Sequence, residues 1–387
     1  MRLPILPLRI LLPLFMLLVV MPARAQFQID TKALLEDYSL ELFTANATGF
    51  MSPLVIVSNL GANDGFYNRA SVPKQNELYF DISVRTMMAW VLDDEREFTA
   101  VLPLEDKQNP HPVLSDEWLR VAQLNYFKLQ LRGAVEAGEL ETQVRTATVF
   151  GGAGSGFTIP KEYIRNNVSG IDSATLARLP SQLSLTPGTN QDMVIAAVPQ
   201  LTIGSFYSTE MLLRYVPPVV FDENIGKFSF FGIAFKHAFT NWIPNAPVHA
   251  AVQIGYQHST IKNEVGYTKA KLEATTDLLA VNVHASRRFA WIEPYAGFSY
   301  EQLSSEGSYT FTLPQNIREE IGYDIDPQKA PVSLEDSAVK FTLGVTGYAG
   351  PMQIFAGVGL AKHLIFSGGI AYRFHSGVFL DSAPTAY

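Results

Sequence analysis

From Met193 onward the chain is a succession of runs in which apolar and polar side chains alternate. Val248, Ala250, Val252, Ile254 and Tyr256 oppose His249, Gln253, Gly255 and Gln257. Leu279, Val281, Val283 and Ala285 oppose Asn282, His284, Ser286 and Arg288, and Val339, Phe341, Leu343 and Val345 oppose Lys340, Thr342, Gly344 and Thr346. A period of two sends neighbouring side chains to opposite faces of a strand. Runs of ~9–11 residues with one greasy and one polar face suit tilted strands between lipid and a wet lumen. The pattern predicts strands over 193–204, 208–221, 226–239, 247–259, 264–273, 277–289, 291–304, 337–349, 351–361 and 363–374.

The last of these is the clearest. Leu364, Phe366, Ile370, Tyr372 and Phe374 alternate with His363, Ser367, Gly369, Ala371 and Arg373, with Ile365 the exception. Upstream, Leu78, Phe80, Ile82, Val84, Met88 and Trp90 oppose Tyr79, Asp81, Ser83, Arg85 and Ala89, and further strands are expected at 98–104 and 140–150. Single-chain bacterial barrels have an even strand number. The expected fold is therefore all-β, a transmembrane antiparallel β-barrel of about 12–14 strands with a short N-terminal helical or irregular plug. The competing architecture is a soluble β-sandwich, which would bury the same apolar faces against each other.

Residues 26–70 break the pattern. Asp30 is a good N-cap for a helix reaching Phe43, and beyond it Asn46–Phe50 and Asn59–Tyr67 mix glycine, asparagine and aromatics as in a compact irregular segment. Residues 105–139 are ambiguous: Ser115-Asp116-Glu117 would start a helix, yet Leu124 to Leu131 also alternates. Residues 151–192 read as one long loop. An acidic insertion with Glu319, Glu320, Asp324 and Asp326 separates two strands, and Trp242, Trp291, Tyr295 and Tyr348 sit at strand ends as in interfacial girdles.

Arg2 and Arg9, the apolar run Ile10–Met21 and Ala23-Arg24-Ala25 predict a cleavable signal peptide over 1–25. The expected organisation is thus signal peptide 1–25, plug 26–70, barrel 71–374 and tail 375–387, in the outer membrane of a Gram-negative cell. The net charge of −8 argues against a nucleic-acid partner, and the absence of cysteine rules out disulfides. No cofactor is expected. Gly151 to Gly156 has its third glycine one residue early for a dinucleotide loop, and the histidines are too scattered for a metal site.

Ser367, Gly369, Tyr372 and Phe374 resemble the carboxy-terminal signal that barrel-insertion machinery reads, although thirteen residues follow here. Pro199–Gly204, Thr209–Pro217, Gly232–His237 and Trp242-Ile243-Pro244 resemble an uncharacterised family of Bacteroidota-type outer-membrane barrels. The layout, a helical and irregular segment before a large barrel, is similar to the outer-membrane transporters of long-chain fatty acids and hydrocarbons (the FadL type). That resemblance implies passive uptake of a hydrophobic or amphipathic small molecule through a plugged barrel with a gap in its wall; the expected partners are membrane lipid, that small molecule and the insertion machinery, with the chain a monomer. Candidate ligand-binding residues are Phe43, Phe50, Phe66 and Tyr67 for an apolar site and Arg85 and Arg214 for a carboxylate head group. The alternative for the two arginines is pairing with Asp81 or Glu210. Two other functions stay open: a structural or adhesive barrel without transport, and a lipid hydrolase. Against the hydrolase, a strand sends His258 and Ser259 to opposite faces, so no enzyme is expected.

Overall fold

The computed structural model describes residues 30–73, 77–167, 173–222, 226–265, 270–311, 319 and 326–379. The expected signal peptide, residues 380–387 of the tail, and Glu320 and Asp324 lie outside them. The chain opens with helix α1 (Thr31–Asn63) and strand β1 (Glu77–Trp90). An excursion follows, with β2 (Glu97–Val101), α2 (Asp116–Glu136), β3 (Gln143–Ala147), β4 (Gly156–Thr158), α3 (Lys161–Asn167), α4 (Ser173–Arg178) and β5 (Gln182–Ser184). Then come β6 (Met193–Phe206), β7 (Thr209–Asp222), β8 (Gly226–His237), β9 (His249–Val265), β10 (Ala270–Ser286), β11 (Ile292–Phe311), β12 (Gln328–Ala349), β13 (Met352–Leu360) and β14 (Leu364–Phe379).

Ten strands, β1 and β6 to β14, form one closed antiparallel barrel, with β1 between β14 and β6. The expected 12–14 is corrected to ten. The runs at 98–104 and 140–150 pair with each other as β2 and β3 outside the wall, and residues 270–273 of one expected run join the run at 277–289 in the single strand β10. A period of two identifies a strand but not its partner. The alternation itself sorts as expected: Ile82, Phe298 and Val339 point outward at 56%, 62% and 66% exposure, while Asp81, Gln253 and Lys340 point inward and are buried. Closure matters because lipid cannot satisfy an open sheet edge.

One rim has short turns, as at Tyr207-Ser208 (φ 46° and 61°) and Gly350-Pro351 (φ 61° at Gly350), and the opposite rim carries the excursion 91–192. Positive φ at both central residues is what lets a two-residue turn follow the twist of the strands. β14 runs past Phe374 to Phe379, so the tail begins as strand. Trp242 and Trp291 are exposed at the short-turn rim, whereas Tyr295 turns into the lumen.

α1 fills the barrel. Its 33 residues span about 50 Å at ~1.5 Å per residue. Asp30 caps it by accepting from the Ala33 N–H at 3.1 Å. The helix does not stop near Phe43 but continues through the stretch expected to be irregular. Its asparagines are absorbed internally: Asn46 donates to the Leu42 carbonyl at 2.7 Å and Asn59 to that of Val55 at 2.8 Å. Leu42, Met51, Leu54 and Val57 are all essentially buried, as expected of a helix apolar on every side. It is long and apolar enough to cross a membrane, but the strands surround it.

The lumen has two zones. Near the short-turn rim its wall is charged and polar. In the far half Val198, Phe230, Leu272, Leu303, Phe311 and Val332 turn inward and form one apolar cluster with α1. The excursion caps that end and is not the featureless loop expected over 151–192. The Ser115 hydroxyl accepts from the Trp118 N–H at 3.2 Å, which settles 116–136 as helix. Arg120 pairs with Asp37 of α1 at 2.8 Å, and Lys107 and the buried Lys128 both reach Glu41. Asn46 also meets β2 edge-on, accepting from the Val101 N–H at 2.8 Å and donating to its carbonyl at 2.9 Å.

Candidate functional site: a plug socket beside an open seam

The last carbonyls of a helix have no partner within it. Two wall arginines bind carbonyls at this end and just past it, that of Ala62 being the one inside the helix. On β7, Arg214 donates from Nη1 to the Ala62 carbonyl at 2.9 Å, from Nη2 to that of Asp64 at 3.1 Å, and from Nε to Gln200 at 2.9 Å. On β1, Arg85 donates to the Gly65 carbonyl and to the Asn68 side chain. Two cations thereby meet the negative end of the α1 dipole. The Phe66 ring lies 3.7 Å from the Arg214 guanidinium carbon, in room that Gly232 leaves: a Cβ there would sit 3.3 Å from the ring. Tyr67 stacks on His284 at 3.9 Å.

Below the arginines the segment after α1 is bound ionically. Arg69 pairs with Glu210 at 2.6 Å and with Asp81 at 3.2 Å; Lys236 and the Tyr79 hydroxyl join Glu210, and Arg373 forks onto Asp81 at 2.6 and 2.7 Å. A second cluster joins Asp64, Lys340 and Glu301, with Asn63 donating to Glu301 at 2.8 Å. Nearly all these groups are buried, and buried charges persist only when paired.

The expected site residues fall into two places. Arg85, Arg214, Phe66 and Tyr67 meet in the socket. Phe43 and Phe50 lie in the far half, stacked on Phe311 at 3.4 Å and beside Tyr309 at 5.3 Å. Neither arginine pairs with Asp81 or Glu210, because Arg69, Lys236 and Arg373 already occupy those acids. Arg69 and Lys236 were missed, although Lys236 alternates inward between Phe235 and His237. A cavity beside Phe43 and Phe50 and another beside Phe66 and Tyr67 measure about 10 Å³ each, room for roughly one water. In β14, Ser367 and Gly369 face inward while Tyr372 and Phe374 are exposed. Ser259 faces inward to Asn59, and His258 faces outward to Asp277 at 2.8 Å, so the two do not act on one another.

The wall is uneven beside the socket. β1 pairs with β6 along its length, from Tyr79–Gly204 to Trp90–Met193. The ladder between β6 and β7 instead runs from Ile203–Met211 to Gln200–Arg214, with one more pair at Phe206–Thr209. From Pro199 toward the far rim no β6–β7 pair is formed among the described residues. Pro199, Pro217 and Pro218 lack backbone N–H groups, which removes donors that lipid would leave unsatisfied. Inside this seam lie Val198, Val216 and Phe230 of the apolar cluster.

A family profile described as "Family of unknown function (DUF6588)" matches residues 6–374. The chain belongs to this family. No curated protein matches the DUF6588 chain. Among solved structures, Ail, the attachment invasion locus protein of Yersinia pestis, is 12% identical over 43% of this chain and 95% of that one, with a TM-score of 0.23. The translocator domain of the autotransporter NalP from Neisseria meningitidis is 11% identical over 86% of this chain and 99% of that one, with a TM-score of 0.22. Likenesses this distant carry no functional implication. Within the DUF6588 chain, the segments 199–204, 209–217 and 232–237 supply Gln200, Glu210, Arg214, Gly232 and Lys236, the wall side of the socket.

Proposed function

We propose that the chain lies in the outer membrane of a Gram-negative cell, exported by a cleaved signal peptide, and lets a hydrophobic or amphipathic small molecule cross without energy coupling. The outward apolar residues of ten closed strands support the location, since a soluble protein rarely leaves so large an apolar surface uncovered. The unpaired β6–β7 seam is the observation that carries the route. There, a stretch of wall without backbone pairs stands between an outer face with Ile195 and Tyr215 and the buried apolar interior around Val216 and Phe230. The socket would hold the plug while the seam serves as a sideways exit. FadL-type transporters share this layout only as a resemblance.

The test is a disulfide across the seam. Cysteines replace Pro199 and Tyr215, the next positions in register. The oxidised protein in liposomes should lose uptake of a fluorescent fatty acid, and reduction should restore it. Equal uptake in both states would remove the lateral route, and absence of uptake in the wild type would leave a structural or adhesive barrel.

A further inference from the structure

In the second ionic cluster each acid spends one oxygen and keeps the other. Lys340 on β12 pairs with Asp64 Oδ1 at 3.1 Å and with Glu301 Oε1 at 2.7 Å, and Asn63 donates to that same Glu301 oxygen at 2.8 Å. Asp64 Oδ2 and Glu301 Oε2 have no hydrogen-bond partner among the described residues, and neither has Gln253 Oε1 on β9. Asn63, Asp64, Gln253, Glu301 and Lys340 are all 4% exposed or less, and all five line the cavity of about 10 Å³ beside Phe66 and Tyr67. The cavity thus lies between the end of α1 and strands β9, β11 and β12.

Two carboxylates and one ammonium leave this lining with one negative charge. Arg214 is outside the lining, and its three nitrogens go to the Ala62 and Asp64 carbonyls and to Gln200. A buried charge persists only when it is paired. A water has two hydrogens to donate, so it would leave one of the three acceptors unpaired and the charge unchanged. A hard cation takes oxygen ligands of this kind, meets all three and cancels the charge. A divalent ion would overshoot that charge by one and asks for about six oxygens or more.

We infer that this cavity binds one desolvated alkali cation, of sodium or potassium size, through Asp64 Oδ2, Gln253 Oε1 and Glu301 Oε2, so that the ion ties the plug end to the wall. The site does not depend on transport, and absence of uptake would leave it standing. The test is urea unfolding of the mature protein in detergent micelles, in sodium, potassium or N-methyl-D-glucamine chloride at one ionic strength. The last of these cations is too large for the cavity. Above the dissociation constant, each tenfold rise in the small cation should raise the folded-to-unfolded ratio about tenfold, and the ion that acts at the lower concentration is the occupant. Hydrogen exchange over residues 60–68 should slow in the same salt. Gln253→Met keeps the volume and every charge, and Glu301→Gln keeps the shape; each should abolish the cation dependence. If Glu301→Gln fails to fold because Lys340 loses a partner, Gln253→Met decides alone. Wild-type unfolding that is identical in all three salts would overturn the cation and leave an ordered water. Dependence that persists in Gln253→Met would place the ion elsewhere on the chain and overturn the site.

Discussion

Arg214, on the barrel wall, donates to the carbonyl of Ala62, next to the last residue of the helix inside the barrel, at 2.9 Å. A side chain of one element thus completes the backbone of another. The same guanidinium also holds the Asp64 carbonyl and covers Phe66, so the end of the plug is fixed by one residue at three points.

Replacing Arg214 with methionine keeps much of the volume and removes the fork. Two buried carbonyls lose their donor, at about 1–3 kcal/mol each. The folded barrel should unfold at lower temperature in a heat-modifiability gel. Arg214→Lys should recover less than half of that loss, since a single ammonium cannot span both carbonyls. A variant as stable as the wild type would mean that the plug end is held by other contacts.

Gly49 is where α1 receives the cap. A Cβ at this position would lie 2.5 Å from Phe98 Cδ2. Gly49→Leu should therefore destabilise by about 1–3 kcal/mol through overpacking. Adding Phe98→Ala should return part of that loss, a coupling that a double-mutant cycle measures directly. Additive losses would show that the two residues are not in contact.

Asn46 joins the helix to the edge of β2 through both groups of Val101. Asn46→Leu removes both bonds to the part-buried Val101 backbone, with an expected cost of about 1–2 kcal/mol. The effect should appear as faster hydrogen exchange in β2 and β3 and as protease cleavage within 91–192, with the barrel strands unchanged. Uniform loss of protection across the barrel would contradict a local role.

The far rim should be acid-sensitive. Glu95 is buried, which by itself would raise its carboxyl, but His363 at 2.6 Å, the Leu92 N–H and Lys362 outweigh burial and hold it below the usual carboxylate range. A carboxyl depressed in the folded state stabilises above its unfolded value, about 4.3, and that contribution disappears as pH falls through the folded one. Protease cleavage of 91–192 should therefore rise as pH falls below ~4, and the pH slope should flatten in Glu95→Gln. An identical slope in the variant would assign the acid response to other carboxyls.

Much of the wall was legible because a strand between lipid and lumen writes its two faces into alternate residues. β9, β12 and β14 carry that pattern over most of the half near the short-turn rim, and Asp30 announced the start of α1 through a local cap. These features depend on neighbours close in the chain, and they determined that the protein is a sheet with an apolar outer face preceded by a helix. Tertiary structure decided the rest. Strand number depended on β2 choosing β3 as its partner over the wall, and the length of α1 on a barrel able to bury Asn46 and Asn59 with their own carbonyls. Arg85 and Arg214 were recognisable as lumen cations, yet their partners are backbone carbonyls, which have no sequence signature. Such groups gain a role only when the fold brings a helix end against a wall.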